Sequence, residues 1–198
     1  MGFESNGGPA RSCEGERPSV FALVIYIPPP LGTFLDDLRR ELVPQYDPHA
    51  HVSVLPPRPL QGDWETASRQ ARALTESWTP FDVDLTTIEV FPHTDVIYLE
   101  VGGGGSELRG LHRAMNTAAL EFAEPYEYHP HITLAQNVPH EQVEAMVSLA
   151  RQRWQEFVGP RTFRADRAVF VQNTVSNCWV DLAEYSLGAL PVGEAATL

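Results

Sequence analysis

The chain has 198 residues, 43% of them hydrophobic and 20% charged, which supplies enough apolar side chain for a packed core and excludes a wholly disordered protein. Its 26 acidic and 14 basic residues give a formal net charge of -12, so the chain repels polyanions on average, which argues against a general nucleic-acid coat protein. All of the basic residues are arginine, which excludes a lysine nucleophile.

The sequence also bears on the compartment. The polar segment 1–18 lacks the apolar stretch of a signal peptide, and no run reaches the roughly 18 apolar residues that span a bilayer. Cys13 and Cys178 are too few for a disulfide framework, and the position of Cys13 in an N-terminus that we expect to be mobile argues against a bridge between them. We therefore expect a protein of the reducing cytoplasm with no membrane partner, and the sequence predicts no particular oligomeric state.

Hydrophobic periodicity and capping residues predict the elements of the first half of the chain. In chain order they are a disordered leader over 1–18, a buried strand over 19–27, a helix over 34–43 capped by Thr33, a half-buried strand over 51–55 ended by prolines, and a helix capped by Asp63.

The second half follows a similar order. The predicted elements are strands over 81–91 and 94–101, a helix capped by Ser106 with the stripe Leu108, Leu111, Met115 and Phe122, a strand over 131–135, a helix over 140–157, and strands over 161–171 and 177–185. Helices mixed with strand hairpins are typical of an α+β protein rather than of a doubly wound parallel sheet. We expect one domain over 19–185 and a frayed tail over 186–198.

One motif occurs in each half. It reads HAHVSV over 49–54 and HPHITL over 129–134. Because side chains alternate faces along a strand, His51 shares a face with Ser53, and His131 shares a face with Thr133. If the two halves pack with these faces opposed, two imidazoles and two hydroxyls meet in one cleft.

Such a cleft suits a phosphodiester. A neutral histidine accepts a proton from the attacking oxygen, and a protonated histidine donates one to the leaving oxygen. Histidine is suited to both roles because its pKa of about 6.5 allows both forms near neutrality. The hydroxyls of Ser53 and Thr133 donate hydrogen bonds to the phosphate oxygens, and the scheme needs no metal.

The paired tetrads resemble those of the 2H phosphoesterase superfamily, which includes bacterial 2′-5′ RNA ligases and cyclic phosphodiesterases of the LigT type. The resemblance covers residues 19–185 and is carried by His51-Val52-Ser53-Val54 and His131-Ile132-Thr133-Leu134. It implies two pseudo-symmetric lobes around a central cleft, each an antiparallel-rich sheet with helices on its outer face. It also implies action on 2′,3′-cyclic or 2′-5′ phosphodiesters without metal or other cofactor. His51 and His131 would then be the acid–base pair, and Ser53 and Thr133 the phosphate binders.

The chain departs from that family after the second tetrad, where many relatives carry an arginine and this chain has Ala135, Gln136 and Asn137. Arg58 is a possible replacement cation, and Tyr128 and Gln136 are further possible substrate contacts, Tyr128 by stacking on a base. The acidic balance favours a small nucleotide or an RNA end as the partner, and not DNA.

Two alternatives stay open at this point. The first is a non-catalytic binder of phosphorylated nucleotides. The second is a metal-dependent hydrolase that uses the two H-x-H pairs, since histidines two apart on a strand can ligate one ion. Against the second, Pro48 and Pro130 disturb the strands and no carboxylate neighbours either pair in the sequence, so we predict no metal ligands.

Overall fold

The computed structural model describes residues 17–45, 49–175 and 178–188. Its helices and strands follow in the order β1 (Phe21–Tyr26), α1 (Leu31–Leu42), β2 (His51–Arg58), α2 (Trp64–Glu76), β3 (Phe81–Val90), β4 (Ile97–Val101), α3 (Gly105–Met115), β5 (His131–Ala135), α4 (His140–Glu156), β6 (Thr162–Ala165), β7 (Arg167–Asn173) and β8 (Trp179–Ser186). The α+β class is confirmed. Most of the predicted leader and tail lies outside the described residues.

The strands form two four-stranded antiparallel sheets. Their orders are β2-β1-β7-β8 and β5-β4-β3-β6. The strands that carry the two histidine motifs, β2 and β5, therefore lie at sheet edges, and they contact each other. This contact brings the two motifs side by side, although about 80 residues separate them in the chain.

The helices tie the two sheets into one core. Helix α1 follows β1 of the first sheet but packs on β5 of the second, and α3 follows β4 of the second sheet but packs on β2 of the first. One cluster of buried side chains accordingly contains residues from both sheets. In the described ranges, no helix combines the length and the hydrophobicity needed to cross a membrane.

Strand β1 is buried on both faces, which explains its continuous apolar sequence. Leu23 and Ile25 join the main core, while Ala22 and Val24 join a smaller cluster on the opposite face of the sheet. The position of β1 between β2 and β7 thus leaves apolar, buried side chains on both of its faces.

Several predicted boundaries are confirmed and others shift. The Asp63 carboxylate caps α2 by accepting from the Thr66 amide at 2.7 Å, as predicted. Helix α1 begins at Leu31 with Pro30 as its N-cap, so Thr33 lies inside the helix instead of capping it. At Gly32 the first turn is so close to the chain before it that a Cβ would lie 1.9 Å from the Ile27 carbonyl oxygen.

Strand β2 is longer than predicted because it continues through Pro56 and Pro57 to Arg58. An edge strand tolerates proline, since an N–H that faces away from the sheet has no partner to lose. The predicted strand 161–171 is divided at Asp166, and its two parts belong to different sheets.

The third helix also differs from its prediction. Gly104, with a positive φ of 83°, precedes it in place of Ser106. The helix ends at Met115, so Phe122 is not part of its apolar stripe.

We predict that Leu99→Ala lowers the free energy of unfolding by about 2–5 kcal/mol, the usual cost of removing a fully buried leucine side chain. Leu99 is fully buried and pairs with Ile132 on the motif strand β5. Urea denaturation measures the change. The control is Val158→Ala, at a side chain that is 99% exposed, which should stay within about 0.5 kcal/mol of wild type. Equal effects of the two substitutions would contradict the core assignment.

Candidate active site

The four polar side chains of the two tetrads line one cleft of about 1460 Å³. His51, Ser53, His131 and Thr133 are half-buried, while the aliphatic residues between them point into the core and are fully buried: Val52, Val54, Ile132 and Leu134. The alternation along β2 and β5 thus produces the predicted grouping. The cleft exceeds the roughly 300–1,000 Å³ of common ligand pockets, so it has room for more than the reacting group.

The two imidazoles are held in the same way. His51 Nδ1 lies 2.6 Å from the His49 carbonyl oxygen, and His131 Nδ1 lies 2.7 Å from the His129 carbonyl oxygen. A carbonyl oxygen can only accept, so Nδ1 must carry the proton in both rings. In the neutral form this leaves Nε2 as the nitrogen that exchanges a proton.

Both imidazoles favour the neutral form. Burial lowers the pKa of His51 to about 4, and the positive charge of Arg39 and the neighbouring His49 and His131 contribute in the same direction. Burial also lowers the pKa of His131, against the opposing influence of the His129 carbonyl and the Glu100 carboxylate. A positive charge on His131 makes the smallest of the contributions that lower the pKa of His51.

The surroundings of His51 are aromatic. Tyr26 pairs with His51 across β1 and β2, and its ring lies edge-on with the centroids 6.3 Å apart. The Tyr26 hydroxyl donates to Asp181 at 2.7 Å. Burial and this carboxylate raise the pKa of Tyr26 well above its usual value, so the phenol stays protonated.

The surroundings of His131 include a carboxylate. Glu100 pairs with His131 across β4 and β5, and its two oxygens lie 3.1 and 2.9 Å from Nε2 of His129. Phe91 stacks on Tyr98 with centroids 4.0 Å apart, and both rings stand edge-on to His131. The two tetrads therefore share a backbone geometry but have different charged neighbours.

Tyr128 and Gln136, two of the predicted substrate contacts, both line the cleft. The Tyr128 hydroxyl donates to the Ser53 carbonyl at 2.7 Å, and its ring stacks on His112 with centroids 3.9 Å apart. Tyr128 thus links the segment before β5 to β2. Gln136 is exposed. Tyr126, which is 71% exposed, is more accessible to a ligand than Tyr128 is.

Arg58, the third predicted substrate contact, does not line the cleft, so that prediction is wrong. Its side chain is 1% exposed and forms an ion pair with Glu124. It also donates to the Asn116 side chain at 2.8 Å and to the Leu120 carbonyl at 3.3 Å. Because β2 extends to position 58, the guanidinium turns into the protein interior instead of facing a substrate.

Arg39 brings a cation to the cleft that the sequence analysis missed. It lies on α1, is buried, and lines the cleft close enough to His51 to lower its pKa. The sequence does contain a pattern that predicts its burial. Position 39 follows Leu35 by four residues and therefore lies on the apolar face of the helix. An arginine on the buried face of a helix indicates a partner or a site.

The H-x-H pairs do not form a metal site in the part of the chain that the structure describes, where no group of three or more His, Cys, Asp or Glu side chains could hold an ion. The second pair does have a carboxylate beside it in the fold, although none neighbours it in the sequence. Glu100 lies on the neighbouring strand and binds His129, a proximity that the linear sequence does not reveal.

Cys178 borders the cleft and is disulfide-bonded, against the expectation that it would be reduced. It is therefore not a thiol nucleophile in this structure. Cys13 lies outside the described residues.

Comparison with known sequences identifies a family and a relative. The family model of the 2′-5′ RNA ligase superfamily matches residues 27–177. An RNA 2′,3′-cyclic phosphodiesterase of Aeropyrum pernix is 33% identical over 85 residues, which cover 40% of this chain and 48% of that protein.

Solved structures share the fold. E. coli LigT complexed with phosphate superposes with a TM-score of 0.60 at 15% identity, over 87% of this chain and 99% of LigT. LigT complexed with 3′-AMP gives a TM-score of 0.56 at 13% identity, over 88% and 99% of the two chains. At these identities the likeness concerns the fold alone.

We predict that Arg58→Met lowers the free energy of unfolding by about 3–5 kcal/mol, because it leaves the Glu124 carboxylate, only 12% exposed, without its cation. Urea denaturation followed by tryptophan fluorescence measures the loss. The matched control is Arg164→Met, whose ion pair with Asp82 is exposed and should contribute about 0–1 kcal/mol. A second substitution, Glu124→Gln, should restore part of the stability of the Arg58 variant; no recovery would argue against a buried ion pair.

Proposed function

This chain belongs to the 2′-5′ RNA ligase superfamily, and we propose that it hydrolyses 2′,3′-cyclic or 2′-5′ phosphodiesters of small nucleotides or RNA ends. The reaction uses acid–base catalysis by His51 and His131 and requires no metal or other cofactor. One observation carries the proposal: both imidazoles line one cleft, and both have Nδ1 bound to a carbonyl oxygen, so each offers Nε2 for proton exchange.

The proposed reaction conserves atoms and protons. A water molecule attacks phosphorus while the neutral imidazole takes a proton from it through Nε2. The bond between phosphorus and a ribose oxygen breaks, and the protonated imidazole donates its Nε2 proton to that oxygen. The products are a phosphomonoester and a free hydroxyl, and the two histidines have exchanged protonation states. The same steps, run forward with an RNA 5′-hydroxyl in place of water as the nucleophile, join two ends, because the cyclic diester then becomes a 2′-5′ diester as its 3′ oxygen leaves.

Phosphate binding supplies the protonated partner. The Ser53 and Thr133 hydroxyls, one from each tetrad, line the cleft and can donate to the non-bridging oxygens. A bound phosphate anion favours the charged form of a nearby imidazole and so raises the pKa that burial has lowered. The positive charge of Arg39 attracts the same anion.

The charges of the cleft favour a substrate with few phosphates. Among the described residues that line it, Arg39 is the one arginine, while Glu124, Glu127 and Asp181 are acidic. A long polyanion would meet repulsion there and over a chain of net charge -12. The Aeropyrum pernix relative, an RNA 2′,3′-cyclic phosphodiesterase, and LigT with 3′-AMP support a nucleotide or RNA end as the substrate. A cytoplasmic location is part of the same proposal, and the disulfide at Cys178 is the observation that opposes it.

We predict that His51→Ala and His131→Ala each lower kcat/KM for 2′,3′-cyclic AMP by at least about 10²-fold, since one acid or base role contributes about 10²–10⁴. Hydrolysis by the wild type should be unchanged in EDTA. His140→Ala is the matched control, because that imidazole is exposed, pairs with Asp95 and does not line the cleft.

Three results would overturn the proposal. Activity that survives both tetrad substitutions would exclude paired-histidine catalysis. Calorimetric binding of the nucleotide by the wild type without turnover would favour the non-catalytic binder. Loss of activity in EDTA that added zinc or manganese restores would favour the metal-dependent hydrolase.

We also predict a bell-shaped pH profile of kcat/KM with its maximum on the acid side of pH 7. Burial lowers the pKa of His51 to about 4 and also lowers the pKa of His131. Activity falls at low pH because the acceptor becomes protonated, and it falls as pH rises past the lowered pKa of the donor, which has then lost its proton. Initial rates at low substrate concentration from about pH 4 to 9 test this.

Folding must be monitored at each pH. Buried histidines with lowered pKa values bind more protons in the unfolded chain, so they make the native state less stable as pH falls below about 6.5. Tryptophan fluorescence at each pH separates unfolding from the catalytic limb. A profile that is flat across the range, or one with its maximum near pH 8, would contradict the prediction.

A further inference from the structure

The two tetrads have equivalent backbones but unequal neighbours, and one pair of side chains accounts for much of the difference. We propose that Glu100 and His129 act together as positioning residues that make His131 the proton donor and leave His51 as the proton acceptor. This inference rests on the proposed function and assigns the roles within the histidine pair.

The contacts form a continuous path from Glu100 to His131. The His129 Nε2 atom lies 2.9 and 3.1 Å from the two carboxylate oxygens of Glu100, which can only accept when ionised, so Nε2 carries a proton. The carbonyl oxygen of His129 in turn accepts from His131 Nδ1 at 2.7 Å. Pro130, buried between them, restricts the backbone. Glu100 therefore holds the residue whose carbonyl orients the His131 ring.

The charge of Glu100 acts on His131 as well. Glu100 is the cross-strand partner of His131, and a nearby carboxylate favours an imidazolium. It raises the pKa of His131, while burial, the largest effect, and a positive charge on His129 lower it. Tyr98, on the same strand as Glu100, has a raised pKa because of burial and the nearby carboxylates, and stays neutral.

The remaining groups around the pair bear mainly on His51. His49 acts on His51 as His129 acts on His131, since its carbonyl raises the pKa of the neighbouring ring and its positive charge lowers it. The difference is Arg39 on α1, which lowers the pKa of His51 in addition to the larger effect of burial. The cross-strand partner of His51 is Tyr26, a neutral phenol bound to Asp181, where His131 has Glu100. A proton shared by the two imidazoles is therefore more stable on His131.

This order of proton affinity determines how the substrate is oriented between the two histidines. The attacking water lies on the β2 side of phosphorus and gives its proton to His51 Nε2. The leaving ribose oxygen lies on the β5 side and receives the proton of His131 Nε2. The diester thus has one productive orientation in the cleft even though the motif is nearly symmetric.

The test is Glu100→Gln, which keeps the shape of the side chain and removes its charge. We expect the NMR titration midpoint of the His131 imidazole to fall, while the midpoint of His51 changes little. The basic limb of the kcat/KM profile should move to lower pH in parallel, which makes kcat/KM for 2′,3′-cyclic AMP at pH 7 about tenfold lower.

Two further variants separate positioning from general effects. Glu100→Asp keeps the charge and should return the His131 midpoint and the basic limb toward their wild-type positions. Glu127→Gln removes an exposed carboxylate from the same cleft and should leave the His131 midpoint unchanged.

The outcomes distinguish this inference from the proposed function. An unchanged His131 midpoint in Glu100→Gln, or a larger change at His51, would overturn the assignment of roles. Movement of the His131 midpoint in Glu127→Gln as far as in Glu100→Gln would overturn it too. Absence of turnover in the wild type would instead overturn the proposed function, because the NMR titration needs no substrate.

Discussion

The hydrogen bond from each imidazole to the carbonyl oxygen two residues before it is the interaction on which the site depends. It uses a backbone acceptor that any sequence would offer at that point, and it fixes both the tautomer and the plane of the ring. The next requirement is that two such rings meet. The fold satisfies this requirement because β2 and β5 lie at the edges of their sheets and contact each other. Chemistry that needs one proton acceptor and one proton donor thus follows from two copies of one local geometry.

Repetition alone does not make the two histidines different. The difference comes from side chains outside the tetrads, with Arg39 near His51 and Glu100 opposite His131. Charges of opposite sign at the two ends of a coupled pair separate the proton affinities that identical environments would leave equal. The stacked Phe91 and Tyr98 and the bound phenol of Tyr26 surround the rings with aromatic surface, and burial then keeps both imidazoles neutral at neutral pH.

The local parts of this arrangement were predictable from the sequence, and the long-range parts were not. Alternation along 51–55 and 131–135 predicted which side chains share a face, because that depends only on strand geometry. The turn of Arg58 into the interior depended on β2 continuing through two prolines, which its edge position and the irregular pairing between Leu55 and Arg58 allow. The contact between Glu100 and His129 depended on the register of β4 with β5. The division of the predicted strand 161–171 at Asp166 gave no periodic signal, because apolar residues continue on both sides of it.

That division has a consequence for how the molecule is assembled. Strands β6 and β7 are separated by a single residue yet extend opposite sheets, and β3 enters the second sheet directly after a helix that packs on the first. Cutting the chain between its two similar halves would therefore leave each piece with unpaired edges in both sheets. Each sheet takes strands from both halves, so neither half is an autonomous folding unit. Many of the strand pairings also join residues that are far apart in the chain. Such a topology is expected to fold slowly and to unfold in one cooperative transition.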